Sequence, residues 1–184
     1  MLNLKFYGLG GQGVVTAAKV LSTAVSIHED KYAITIPAYG HERRGAPVYT
    51  DIVVDDVPIL QNCFVYEPDI VLVMDQTIRD KGIDIGKGKR TETILVLNTE
   101  SETTAREYQE QYGFYKVYYV DATHVATRQI GRGIPNGAML GALAKTGAVS
   151  LASVETALRD TFGGKAGERN ANAAKDAYEN TIEM

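Results

Sequence analysis

Leu2-Asn3-Leu4-Lys5-Phe6-Tyr7-Gly8-Leu9-Gly10-Gly11-Gln12-Gly13-Val14-Val15 decides the fold of this chain. A short apolar run, Leu2 to Tyr7, leads into a Gly-x-Gly-x-x-Gly turn that opens a helical stretch, Val14 to His28. Glycines in that position permit positive φ angles and close backbone approach, and they leave N–H groups free at the positive end of a helix. The loop therefore suits an anion or another stretch of backbone. A dinucleotide site would also call for an acidic residue at the end of the second strand. Here that strand, Tyr32 to Pro37, runs into Ala38-Tyr39-Gly40; Glu29 and Asp30 precede it and Glu42 lies past a turn. Nicotinamide binding is disfavoured on that ground, and tight strand–helix packing remains an alternative role for the glycines.

Working outward, strand candidates alternate with helical stretches, the pattern of an α/β, Rossmann-like domain with a mostly parallel sheet flanked by helices. The strands are Leu2 to Tyr7, Tyr32 to Pro37, Val48 to Val54, Ile70 to Met74, Ile94 to Leu97 and Lys116 to Val120. Ile70 to Met74 and Ile94 to Leu97 are apolar throughout and belong at the centre, whereas Val48 to Val54 alternates in part and suits a half-exposed or edge position. Helices are expected over Val14 to His28, Glu100 to Tyr112, a segment after Pro135, and a segment after an N-cap at Ser150 that Gly163-Gly164 stops. Glu168 to Glu183 has few large apolar groups, so that helix is expected on a partner or at the rim. The polar stretch Gln76 to Glu92, with Lys87, Lys89 and Arg90, reads as a solvated connection, with phosphate contact as the other option.

With 184 residues the chain suits a single domain over 1–184. A net charge of −4 gives no electrostatic case for nucleic acid or an anionic membrane. The run before the glycine loop is strand-length, not a signal peptide, and no apolar run approaches a membrane span of about 20 residues, so a cytoplasmic protein is expected. One cysteine, Cys63, cannot make an internal disulfide or hold an iron–sulfur cluster; buried beside Phe64-Val65 it would be inert. His28, His41 and His124 show no metal-site spacing. No complete catalytic constellation is present.

Two further segments carry polar chemistry. Tyr39-Gly40-His41-Glu42-Arg43-Arg44-Gly45-Ala46-Pro47 is a charged loop between two strands, placed to face the same crevice as the glycine loop. Arg43 and Arg44 offer planar donor forks for carboxylate or phosphate; pairing with Glu42 or a subunit contact is the alternative. Asn136, near a helix start, can cap it or hydrogen-bond a ligand. Gly137 and Gly141, with Ala138 and Ala142, leave one helix face without bulk for another helix.

Taken in order, Gly8 to Gly13 with Gln12, Tyr39-Gly40-x-Glu42-x-Arg44-Gly45, Asn136-x-x-Met139-Leu140-Gly141-Ala142 and Asn170 resemble the gamma subunit of 2-oxoacid:ferredoxin oxidoreductases over nearly the whole length. His41 stands where the family usually has proline. Ala46 stands where many members have a second glycine, which resembles the pyruvate-type branch and related aryl-oxoacid enzymes. The resemblance implies a hetero-oligomer that oxidatively decarboxylates pyruvate, or an aryl or branched 2-oxoacid such as phenylglyoxylate, to its acyl-CoA and passes electrons to ferredoxin or a similar acceptor. Thiamine diphosphate with Mg and [4Fe–4S] clusters would sit in partner subunits, a thiamine diphosphate-binding chain and a ferredoxin-like iron–sulfur chain, since this one has neither the cysteines nor a Gly-Asp-Gly stretch. Its own part would be to close the active site and help position CoA through Gly10, Gly11, Gln12, Gly13, Arg43, Arg44 and Asn136. A purely structural subunit and a free-standing nucleotide-binding protein are the other readings.

Overall fold

The computed structural model describes residues 1–38, 45–60 and 62–184. One seven-stranded sheet has the order β2-β3-β1-β4-β5-β6-β7. The strands are β1 Leu2–Leu9, β2 Tyr32–Ala38, β3 Pro47–Asp55, β4 Ile70–Val73, β5 Ile94–Asn98, β6 Lys116–Val120 and β7 Ile182–Glu183. β1, β4, β5 and β6 run parallel, so the expectation of a parallel sheet holds at the centre. The edges differ: β2 and β3 pair antiparallel, as do β3 with β1 and β6 with β7. The stretch 39–46 between β2 and β3 explains one edge, because a parallel return needs a crossover of roughly a dozen residues or more.

β4 is buried at every residue, as its unbroken apolar run predicts, and β5 is buried from Leu95 to Asn98. The expected half-exposed or edge placement of Val48 to Val54 is corrected. β3 fills the slot between β1 and β2, and Thr50 to Val54 are buried. Its polar residues misled the pattern because Asp51 is buried as half of an ion pair with Lys5. β7 is two residues long and gives no readable sequence signal.

Helices are distributed unequally. α1 Val14–His28, α3 Ala122–Ile130, α4 Asn136–Ala144, α5 Leu151–Phe162 and α6 Gly164–Asn180 cover one face, over a core that includes Leu4, Phe6, Leu72, Met139 and Leu158. The other face carries α2 Glu102–Tyr112 and a one-to-two-turn 3-10 helix, Gln76–Lys81, over a second cluster around Val71, Val73, Leu95, Leu97 and Tyr108. Caps fall where side chains can accept from exposed amides. Ser101, Asp121 and Ser150 accept from the backbone N–H of Thr104, His124 and Ser153.

α6 departs from expectation. One face of it packs not at the rim but against α3, α4 and α5. Gly167, Asn170, Ala171, Ala173, Ala174 and Ala177 are its buried positions, and all nine residues of α4 are buried beneath it. The reason is close approach: a Cβ on Gly141 would stand 1.8 Å from the Ala174 carbonyl oxygen. Small residues bury little area each, but they let the two backbones touch, so packing substitutes for bulk.

Two carboxylates tie this helical layer together. Glu29 Oε1 accepts from Ser150 N at 2.7 Å, joining the end of α1 to the start of α5. Asp176 on α6 accepts from Arg128, from Gln129 Nε2 at 2.8 Å and from Asn180 Nδ2 at 2.9 Å. Partial burial would raise each carboxyl's pKa, yet hydrogen bonds from Ser150 and Lys31 to Glu29, and from Arg128 and Gln129 to Asp176, hold both below the ordinary value. A carboxyl depressed in the folded state stabilises above its unfolded pKa, about 4, and that contribution is lost as pH falls through the folded pKa. Glu29→Gln with Asp176→Asn should therefore lower the urea midpoint at pH 7 and make it less pH-dependent between pH 5 and pH 3 (about those values). Parallel midpoint curves for both proteins would contradict this.

Candidate functional site

The glycine loop lies at the C-terminal edge of the parallel strands, where open α/β sheets bind ligands. Its conformation is set by the chain around it. Gly10 N donates to Ala46 O at 2.8 Å and Gly45 N to Gly10 O at 3.1 Å, continuing the β1–β3 ladder past Leu9 and Pro47. The expected meeting of the two loops is thus realised through Gly45 and Ala46. Tyr39 to Arg44, which include the candidates Arg43 and Arg44, lie outside the described residues.

Gln12 has a mechanical role. Its Oε1 accepts from Leu9 N at 2.8 Å and its Nε2 donates to Asp75 Oδ2 at 2.7 Å, so one side chain closes the turn and ties it to the end of β4. Gln12 N donates to Leu9 O at 3.1 Å. Two of the loop amides offered to an anion, those of Gly10 and Gln12, are therefore engaged within the chain. Those of Gly11, Gly13 and Val14 have no partner among the described residues.

Gly13 caps α1 with φ 77° and no side-chain bond, and Gly11 has φ 99°. Asn136 is brought directly onto Gly13, where a Cβ would stand 2.5 Å from Asn136 Nδ2. Asn136 is the first residue of α4, after Pro135 at the cap position, and its Oδ1 accepts from Gly137 N at 2.8 Å. It is buried, and it wedges the start of α4 against the start of α1.

Beside this loop a polar crevice of about 290 Å³ opens over the ends of β4, β5 and β6. Asn98 organises it, donating to Met74 O and Thr123 Oγ1, each at 2.8 Å, and accepting from Ala122 N at 2.9 Å. Asp75 and Asp121 also line it, each accepting from a backbone amide two or three residues on. Sequence reasoning passed over Asp75, Gln76, Asn98 and Thr99. Their signal was available: a polar residue immediately after a wholly apolar strand marks the strand's ligand-facing end. With Glu100, three acids line the crevice and make it unfavourable for phosphate, which leaves the glycine loop as the anion-compatible side.

A dinucleotide reading fails on topology. The neighbour of β1 on the glycine-loop side is antiparallel β3, so the neutral Ala46 and Pro47 stand beside the loop. Among the described residues, no group of three or more His, Cys, Asp or Glu is placed to hold a metal, and no helix is long and apolar enough to cross a membrane. Cys63 is exposed, which corrects its expected inert burial.

Comparison with known proteins places this arrangement. The family described as pyruvate ferredoxin/flavodoxin oxidoreductase matches residues 3–180. The pyruvate/ketoisovalerate oxidoreductases common subunit gamma of Pyrococcus abyssi is 43% identical over 182 residues, covering 98% of this chain and 97% of that protein. Pyruvate synthase subunit PorC of Methanothermobacter thermautotrophicus is 42% identical over 180 residues, covering 97% and 95%. The crystal structure of pyruvate oxidoreductase subunit PORC from Thermotoga maritima superposes with a TM-score of 0.85 at 32% identity, covering 100% of this chain and 98% of that one. The chain belongs to the pyruvate ferredoxin/flavodoxin oxidoreductase family, as a gamma subunit of a 2-oxoacid:ferredoxin oxidoreductase.

Proposed function

We propose that this subunit serves a pyruvate-type oxidoreductase, making an acyl-CoA from a 2-oxoacid, and that its glycine loop and the 39–46 segment together close the active site and receive the phosphates of CoA. The observation that carries the reading is the pair of bonds between Gly10 and Gly45-Ala46, which fixes the C-terminal end of the 39–46 segment beside the glycine loop. The amides of Gly11, Gly13 and Val14 at the positive helix end and the guanidinium forks of Arg43 and Arg44 are both chemistries suited to phosphate. Gln12 and Asn136 act by holding the loop's shape.

Redox and decarboxylation chemistry fall to partner subunits. An iron–sulfur cluster takes four ligands, and this chain has one cysteine, so [4Fe–4S] clusters do not fit here; the described residues likewise offer no ligand group for the Mg that accompanies thiamine diphosphate. Thiamine diphosphate-binding and iron–sulfur subunits would supply those groups, with ferredoxin or a similar acceptor taking the electrons. Ala46, which resembles the pyruvate-type and aryl-oxoacid branches alike, makes pyruvate and phenylglyoxylate the first 2-oxoacids to assay.

The test is steady-state kinetics of the assembled complex carrying Arg43→Ala with Arg44→Ala. We expect the KM for CoA to rise about tenfold or more, the effect of removing charge-assisted bonds, with the KM for pyruvate unchanged. An unchanged KM for CoA in an intact complex would leave the subunit a structural one.

A further inference from the structure

On the sheet face away from α1, a cavity of about 500 Å³ lies between the β1–β3 pair and the segment 64–66. Four rings border it: Tyr7 and Tyr49, adjacent on β1 and β3, and Phe64 and Tyr66 opposite. Its far wall is fixed from two sides. Buried Asp51 accepts from Val65 N at 2.8 Å, and Lys5 Nζ donates to Val65 O at 3.0 Å while lying 3.0 Å from Asp51 Oδ1. Gly88, at φ 77°, passes so close that a Cβ would stand 1.8 Å from Tyr66 O.

Charge within the cavity cancels. Lys5 is paired with Asp51, and Lys87 at the rim is matched by Asp84. Three hydroxyls of the lining, those of Tyr7, Tyr49 and Tyr66, make no hydrogen bond among the described residues, and that of Tyr7 belongs to the most buried of the three rings. Burial first, then the carboxylates of Asp51 and Asp84, push its pKa up, so it keeps its proton and can only gain by donating it to an acceptor. Meanwhile Tyr49, Phe64 and Tyr66 remain 39%, 45% and 76% exposed among the described residues, a concentration of accessible ring surface.

We propose that this cavity is a binding site for a neutral, planar heteroaromatic ring whose ring nitrogen or carbonyl accepts from Tyr7 Oη and whose faces lie against Tyr49, Phe64 and Tyr66. The volume falls within the range of small-ligand pockets, about 300–1,000 Å³, and the lining is aromatic with the buried Tyr7 hydroxyl as its innermost donor, which suits a flat ring carrying an acceptor and no net charge. The site is separate from the anion-binding reading of the glycine loop, since none of Gly10 to Val14 lines the cavity.

Adenosine is the probe, titrated against the full chain and against the assembled oxidoreductase, with saturation-transfer NMR reporting which protons are held. We expect saturable binding to both, with saturation concentrated on the base. Tyr66→Ala should weaken it about tenfold, the loss of a base–aromatic stack, and Tyr7→Phe about fivefold. Tyr66 is exposed enough that its truncation leaves the fold intact, which unchanged circular dichroism would verify. Absence of saturable binding, or binding indifferent to both substitutions, overturns the proposal. So does binding by the free chain that disappears on assembly, which would assign the rings to a subunit contact.

Discussion

Gly141→Ala should destabilise the chain by about 3 kcal/mol, lowering the melting temperature by roughly 6–12 °C for a domain of this size. The sign is unusual. Alanine is the better helix former by about 1 kcal/mol, and at an exposed helical glycine the same change would stabilise. Here the new methyl would stand 1.8 Å from the Ala174 carbonyl oxygen, with Ala174 C and Cα next nearest at 2.5 and 2.7 Å. Those are main-chain atoms, so no side-chain substitution on α6 can relieve the contact. α4 and α6 must move apart, opening the layer that also contacts α3 and α5. A thermal melt equal to or above that of the unchanged protein would show that the two helices have slack.

The second large effect is expected at the buried ion pair. Asp51→Ala leaves the Lys5 ammonium, 13% exposed, without its counter-charge, and strips Val65 N of its acceptor. Removing one partner of a buried pair costs about 3–5 kcal/mol, and the partial exposure of Lys5 places this case toward the lower end. The pair itself is worth far less. The double variant Lys5→Met with Asp51→Val should recover the part of the loss due to the unpaired charge, while Val65 N and O stay without their side-chain partners. Urea titrations of the three proteins decide it; a single variant within about 1 kcal/mol of the starting protein would mean that water reaches Lys5.

Those two positions also mark where sequence reading succeeds and fails. β1, the glycine turn and α1 were legible because apolar run, punctuation and helical stretch follow one another without a break. β4 and β5 were legible because burial on both faces demands unbroken apolar residues. β3 was misplaced since Asp51 reads as a surface residue unless its partner, 46 positions away on β1, is known. α6 was misplaced for a related reason: an alanine stripe is ambiguous until the glycine facing it is identified, and Gly141 is distant in sequence. At the site, the meeting of the glycine loop with Gly45 and Ala46 followed from strand-end placement. The crevice around Asn98 did not, because its three partners are Met74, just past β4, and Ala122 and Thr123 at the start of α3. The family resemblance rested on motif order and agreed with the comparisons along nearly the entire chain.

The side-chain clasp of Gln12 has a consequence for how any molecule would settle on the loop. Fixing a backbone residue that was free costs about 1–2 kcal/mol, and a ligand that orders its own binding loop loses that amount of affinity for each residue ordered. Leu9 to Gly13 is restrained beforehand, by Gln12 across to Asp75, by Gly10 to the strand beside it and by Asn136 against Gly13. The entropic cost is met once, during folding. A molecule that bound Leu9 to Gly13 would meet a loop whose shape is already set, so ordering of those residues would not slow its association.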